Sequence, residues 1–154
     1  MKKAILVICA ICFTAAGIAI AQPNISGSPL YGTLNLEAGF LPDPREVAVT
    51  AGGSSDASSM GLPSSCVGQI SSGQPDVRLN FTAGSSPLTI KVEASIDTTL
   101  VVNGPDGSWY CNDDANGFNP AVTFRPAPSG QYDIWVGTYG SSTGPATVKI
   151  TELL

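Results

Sequence analysis

Leu88-Thr89-Ile90-Lys91-Val92-Glu93-Ala94 is the stretch on which the fold turns. Leu88, Ile90 and Val92 alternate with Thr89, Lys91 and Glu93. A period of two puts the first set against a core and the second in water, which is the pattern of a half-buried β-strand. The same alternation recurs on both sides of it. Val77, Leu79 and Phe81 alternate with Arg78, Asn80 and Thr82; Tyr132, Ile134 and Val136 with Asp133 and Trp135; Val148 and Ile150 with Lys149 and Thr151. Shorter β-like runs lie at Tyr31–Leu36, Val47–Thr50, Val67–Ile70, Thr98–Val102, Ser108–Cys111 and Ala121–Phe124. No window carries a sustained helical stripe. About nine or ten short strands punctuated by turn residues predict an all-β fold, an antiparallel β-sandwich. The longest stretch without a strand signal is Gly52–Ser65, read as a loop that Cys66 helps to anchor.

Composition agrees with a packed, turn-rich domain. Of 154 residues, 43% are hydrophobic and 12% charged, with 17 glycines and 12 prolines, so a core can form and turns can be frequent. Lys2 and Lys3 precede an uncharged apolar run from Ala4 to Ala21 that closes on Ala19-Ile20-Ala21. This predicts a secretory signal peptide over 1–21. A polar lead-in over 22–30 follows, and then a single domain over 31–154. Cys9 and Cys12 fall inside the apolar run, which leaves Cys66 and Cys111 in the exported chain. An even pair in a secreted or periplasmic protein predicts one disulfide.

Cleavage after Ala21 leaves five basic and twelve acidic residues, a net charge of −7. Arg45, Arg78, Lys91, Arg125 and Lys149 are scattered, so nucleic acid is excluded as a partner. Nothing after the signal segment calls for a membrane. Histidine is absent, which removes Ser-His-Asp and Cys-His catalysis and imidazole metal ligation. There is no G-x-S-x-G elbow. Lys91 and Lys149 occupy outward strand positions, where neither is desolvated enough to serve as a base. Adjacent Asp113 and Asp114 would point to opposite faces of an extended segment, a poor geometry for paired-carboxylate hydrolysis.

Two polar features remain. Asn112-Asp113-Asp114-Ala115-Asn116-Gly117, with Gly104-Pro105-Asp106-Gly107 upstream, supplies hard oxygen donors. If the chain holds a metal, this composition predicts calcium on Asp106, Asn112, Asp113, Asp114 and Asn116, with Asp113 and Asp114 foremost. The same residues also suit Asx-capped turns without metal, and both readings stand. Trp109, Tyr110, Trp135 and Tyr139 lie near loops or at outward strand positions, where exposed rings could stack on a ligand. Packing of Trp109 and Tyr110 beside the disulfide, with Trp135 covering a sheet face, is the competing reading.

From about Val67 to Glu152 the ordered set of segments resembles the bacterial pre-peptidase C-terminal domain. The segments are Val77–Val92 with its Thr82-Ala83-Gly84 turn and Asp97–Val102 running into Gly104-Pro105-Asp106-Gly107. After these come Asn112-Asp113-Asp114 with Gly117 and Asn119, and Gly130-Gln131-Tyr132-Asp133-Ile134-Trp135-Val136-Gly137. The resemblance implies a small jelly-roll-like sandwich that accompanies secreted peptidases. It also implies likeness to collagen-binding modules, some of them calcium-binding, with no catalytic residues of its own. Leu30–Ser65 lies outside the resemblance. The sequence therefore predicts an exported, non-catalytic accessory or binding module, for a polysaccharide or for an extracellular or envelope protein. A small secreted hydrolase of peptidase type and a structural envelope protein are the alternatives.

Overall fold

The computed structural model describes residues 21–153; the expected signal segment therefore lies almost wholly outside the described residues. Strands β1 Thr33–Glu37, β2 Arg45–Ala51, β3 Ser55–Asp56, β4 Gln69–Ile70, β5 Val77–Thr82 and β6 Leu88–Ala94 occupy the first part. Strands β7 Thr98–Asn103, β8 Trp109–Asn112, β9 Ala121–Phe124, β10 Gly130–Thr138 and β11 Gly144–Thr151 complete it. One 3-10 turn, Ala57–Ser59, is the only helical element among the described residues.

The strands form two sheets. The first runs β1-β5-β10-β7-β8, with β4 and β3 continuing from the C-terminal end of β10. The second runs β2-β11-β6-β9. Their inner faces meet in one core. It holds Val77, Leu79, Phe81, Leu100, Val102, Tyr132, Ile134 and Val136 from the first sheet. The second contributes Val49, Leu88, Ile90, Val92, Phe124, Val148 and Ile150. These are the inward members of the alternating runs, so the period of two does select the buried face. The fold is the all-β sandwich that the sequence predicts. One pairing departs from the antiparallel expectation: β1 runs parallel to β5, with Leu34 beside Leu79 and Leu36 beside Phe81. The chain leaves β1 for the opposite sheet, lays down β2, and returns to the first sheet through β3 and β4 before reaching β5. No hairpin links β1 to its neighbour, so nothing forces them antiparallel.

The outer face of the first sheet carries a second, smaller core. Ala57, Met60, Cys66 and Ile70 pack on Val101 and Trp135, with Leu62, Trp109 and Cys111 at the margin. Cys66 and Cys111 are bonded, with Cα atoms 4.9 Å apart, so the disulfide ties the covering loop to β8. The 52–65 stretch, read as a strandless loop, contains β3 and the 3-10 turn. Asp56 caps that turn by accepting from the Ser58 amide at 3.0 Å and from its hydroxyl at 2.7 Å. Gly53 makes the approach possible, because a Cβ there would lie 2.1 Å from the Ile70 carbonyl carbon. Every residue of β7 is buried as a result.

The lead-in is also tied down. The Arg78 guanidinium donates to the carbonyl oxygens of Ile25 and Gly27 at 2.6 and 3.1 Å and pairs with Asp133 at 2.7 Å. Residues 31–65 thus supply β1 and β3 to the first sheet, β2 to the border of the second, and most of the cover of the second core.

Candidate functional site

The acidic segments are divided between the two ends of the sandwich. Asp106 sits in the turn joining β7 to β8. There it accepts from the Ser108 amide at 3.0 Å and the Tyr110 hydroxyl at 2.7 Å. The Tyr110 hydrogen bond, followed by the Ser108 amide, holds the Asp106 carboxyl below its ordinary range. Asp113, Asp114 and Asn116 lie past the other end of β8. The Asn112 side-chain carbonyl is occupied by the Ala121 amide at 3.0 Å, and Asn116 bridges to Asn119 in a tight turn. A single site using Asp106 together with Asn112–Asn116 is therefore not formed. A four-residue strand separates the two groups. Among the described residues, no three Asp, Glu or Cys side chains converge closely enough to hold a metal ion.

The four aromatic candidates separate in the same way. Trp135 does point to the outer face, but it is wholly buried in the second core and cannot stack on a ligand. The alternation specifies the face; it does not specify that residues 53–66 will cover it. Trp109 packs on Trp135 with centroids 5.5 Å apart. Tyr110 turns toward the main core and meets Phe124 edge-on at 4.9 Å. Only Tyr139 is open, with 63% of its surface exposed.

Tyr139 has a companion that the alternation does not reveal. Phe118, in the loop between β8 and β9, is 66% exposed. The backbone of both residues is tied to the β6–β7 connection. The Tyr139 amide donates to the Asp97 carbonyl and the Thr98 amide to the Phe118 carbonyl, each at 3.2 Å. Asp97 stands between them, and its carboxyl is raised above the ordinary carboxylate range by burial first, then by the charges of Asp114 and Asp113. One end of the sandwich thus gathers Asp97, Asp113, Asp114, Phe118 and Tyr139. No salt bridge among the described residues reaches these three carboxylates. Lys149 is taken by Glu93 and Glu46, Lys91 lies beside Glu93, and Arg78 is held by Asp133. The end is negative, carries two exposed rings and pairs none of its three carboxylates with a cation among the described residues. Asp97 enters the sequence reading only at the head of Asp97–Val102, and Phe118 not at all, since no local pattern brings residues 97, 118 and 139 together.

Two groups of a catalytic type, Lys149 and Asp76, are held by neighbours. Lys149 is ion-paired. Asp76 is shifted furthest toward neutrality, its carboxyl raised to about 7 by burial against the opposing pull of the Val136 amide. It is 1% exposed, with no route to a substrate.

No family model and no curated protein matches this sequence. Among solved structures, the chain is similar to the pre-peptidase C-terminal domain of collagenase from Bacillus anthracis. That match has 15% identity over 81% of this chain and all of that one, with a TM-score of 0.46. It is also similar to PliG from Aeromonas hydrophila, a periplasmic inhibitor of g-type lysozyme. There the identity is 13% over 77% of this chain and 96% of that one, with a TM-score of 0.44.

Proposed function

We propose that the protein is an exported, non-catalytic binding module that engages a basic protein surface through the end bearing Asp97, Asp113, Asp114, Phe118 and Tyr139. What supports this reading is the company of three carboxylates that form no salt bridge among the described residues with two exposed rings. A Lys or Arg from a partner would relieve the mutual repulsion of the carboxylates. It would also lie against the ring faces, where cation–π contact adds about 0.5–2 kcal/mol. Buried aromatic anchors ringed by charge are common at protein interfaces. The absence of histidine and the engagement of Lys149 favour a non-catalytic role. The Cys66–Cys111 bond fits an oxidising compartment outside the cytoplasm.

The test is surface plasmon resonance against a panel of basic secreted proteins, g-type lysozyme among them, with neutral glycans as the contrasting arm. Binding to a basic protein should weaken steeply with salt. It should fall by about tenfold or more, roughly 1.4 kcal/mol, in the D113N/D114N double variant and in Y139A. Binding confined to glycans, or binding untouched by both variants, would refute the assignment.

A further inference from the structure

The free edge of β1 points to a second copy of this chain. Among the described residues, β1 borders the first sheet and pairs on one side only, with β5. The direction of its backbone groups follows from two hydrogen bonds. Arg78 donates to the carbonyl of Gly32, and Ala38 donates to the carbonyl of Thr82. Residues 32 and 38 therefore face β5. In a parallel ladder, the N–H and C=O of one residue point to the same side and successive residues alternate. Leu34 and Leu36 thus also face β5, while Thr33, Asn35 and Glu37 turn both their N–H and C=O groups outward.

Edge strands are usually blunted by proline, lysine, a bulge or a cover. β1 reads Thr-Leu-Asn-Leu-Glu and carries none of the first three. At the border of the other sheet, by contrast, the Tyr31 hydroxyl occupies the Thr50 amide at 3.0 Å. The flanks of β1 are apolar: Leu30 is 50% exposed, Tyr31 38% and Leu41 85%.

The edge is complementary to itself. We propose that two copies associate by antiparallel pairing of β1 with β1 about a twofold axis at Asn35, joining their first sheets into one. In that register Asn35 faces Asn35 of the second copy, and Thr33 faces Glu37 of the second copy. All the outward N–H and C=O groups of the three residues then find partners. On the inner face, half-buried Leu34 meets Leu36 of the second copy, which adds apolar cover. No like charges stand opposite each other, because Glu37 faces a threonine. A one-residue slip would oppose outward groups to inward ones and satisfy none. A twofold, isologous contact also closes on itself and does not propagate. The inference does not depend on the binding function proposed above, which uses the loop end and leaves β1 free.

Light scattering coupled to size exclusion tests the association, and engineered charge and cysteine variants test the register. The purified protein should show twice the protomer mass, falling toward one on dilution. Asn35→Lys and Asn35→Asp should each give the protomer mass, since like charges then meet at the axis. An equimolar mixture of the two should return to twice the mass, which also shows that both variants are folded. Asn35→Cys should give a covalent dimer on oxidation. Paired Cα atoms at that position would lie about 5.5 Å apart, within disulfide reach. Thr33→Cys should not cross-link, because the two copies of residue 33 lie at opposite ends of the ladder. A protomer mass at millimolar concentration would overturn the proposal, as would a dimer that survives Asn35→Lys or cross-linking at 33 in place of 35.

Discussion

Asp76 accepts the backbone N–H of Val136 at 2.7 Å through one carboxylate oxygen, while its other oxygen is buried without a partner. The bond stands where β10 passes from β5 to β4. Ile134 is the last residue of β10 paired with β5, and Thr138 pairs with Gln69 of β4. Between these points no strand pairs with β10 on that side: the Gly52 amide donates to the Val136 carbonyl at 2.9 Å, and the Asp76 side chain takes the place of a backbone acceptor for the Val136 N–H. Burial lifts its carboxyl from the ordinary 3.8 to about 7.

That shift sets a pH dependence. The folded state holds the proton more tightly than the unfolded one, so Asp76 favours folding below the ordinary carboxylate range. This contribution is lost as the pH rises through about 7. A difference of about three units corresponds to roughly 4 kcal/mol at full extent. Urea unfolding should show stability falling between acid and neutral pH. In Asp76→Asn, which keeps an acceptor for Val136 and never ionises, this part of the slope should vanish. An unchanged slope would mean that other groups set it.

The disulfide should matter as much. It closes a 45-residue separation, for which chain entropy gives about 4 kcal/mol. C66S/C111S should unfold at a correspondingly lower temperature, and the non-reduced protein should yield no alkylatable thiol from this pair. Loss should be concentrated in the second core, so hydrogen exchange should rise first in residues 55–66.

Removing Arg78 should cost more than an ordinary surface change. Asp133 is 2% exposed and would keep an unpaired charge, and the carbonyls of Ile25 and Gly27 would lose their donor. Breaking a buried pair in this way costs about 3–5 kcal/mol. R78A should destabilise to that extent and free the 22–30 segment to proteolysis. Replacing Arg78 and Asp133 together with apolar residues should recover part of the loss.

The sheet faces were legible because alternation is a local property. Leu88, Ile90 and Val92 are buried as their spacing requires. Three things were not. The cover over Trp135 comes from a Ser- and Gly-rich segment with no periodic signal, so an outward position reads as an exposed one. The parallel entry of β1 depends on the route of the chain between sheets, which no local pattern records. The gathering of Asp97, Asp113, Asp114, Phe118 and Tyr139 depends on three loops meeting at one end. The Cys66–Cys111 bond was predictable because setting aside Cys9 and Cys12 with the expected signal segment leaves one pair.

Trp135 and Tyr139, four residues apart, should separate stability from binding. Trp135→Ala empties a fully buried site between Trp109, Val101 and the covering loop, and should cost about 3–5 kcal/mol. Tyr139→Ala changes an exposed ring and should alter stability by less than about 0.5 kcal/mol, while weakening capture of a basic protein. Equal effects on folding would contradict the placement of Tyr139 in solvent.

Calcium should leave the melting temperature unchanged from chelator to millimolar concentration. A ligand that binds only the folded state raises stability once its concentration passes the dissociation constant, so a real site would be visible. The donors do not converge. Asp106 is committed to Ser108 and Tyr110 at the far end, and Asn112 is committed to Ala121. What remains near Asp113 and Asp114 is Asp97, and these three do not form a metal-holding group. Calcium takes six to eight oxygens, and a few loosely grouped carboxylates on exposed loops offer too few. Their repulsion is met by water and by salt, and under the function proposed above by a partner's cation. A calcium-dependent rise in melting temperature that disappears in D113N/D114N would restore the acidic turn as a metal site. It would also make the two rings beside it neighbours of a cation already present.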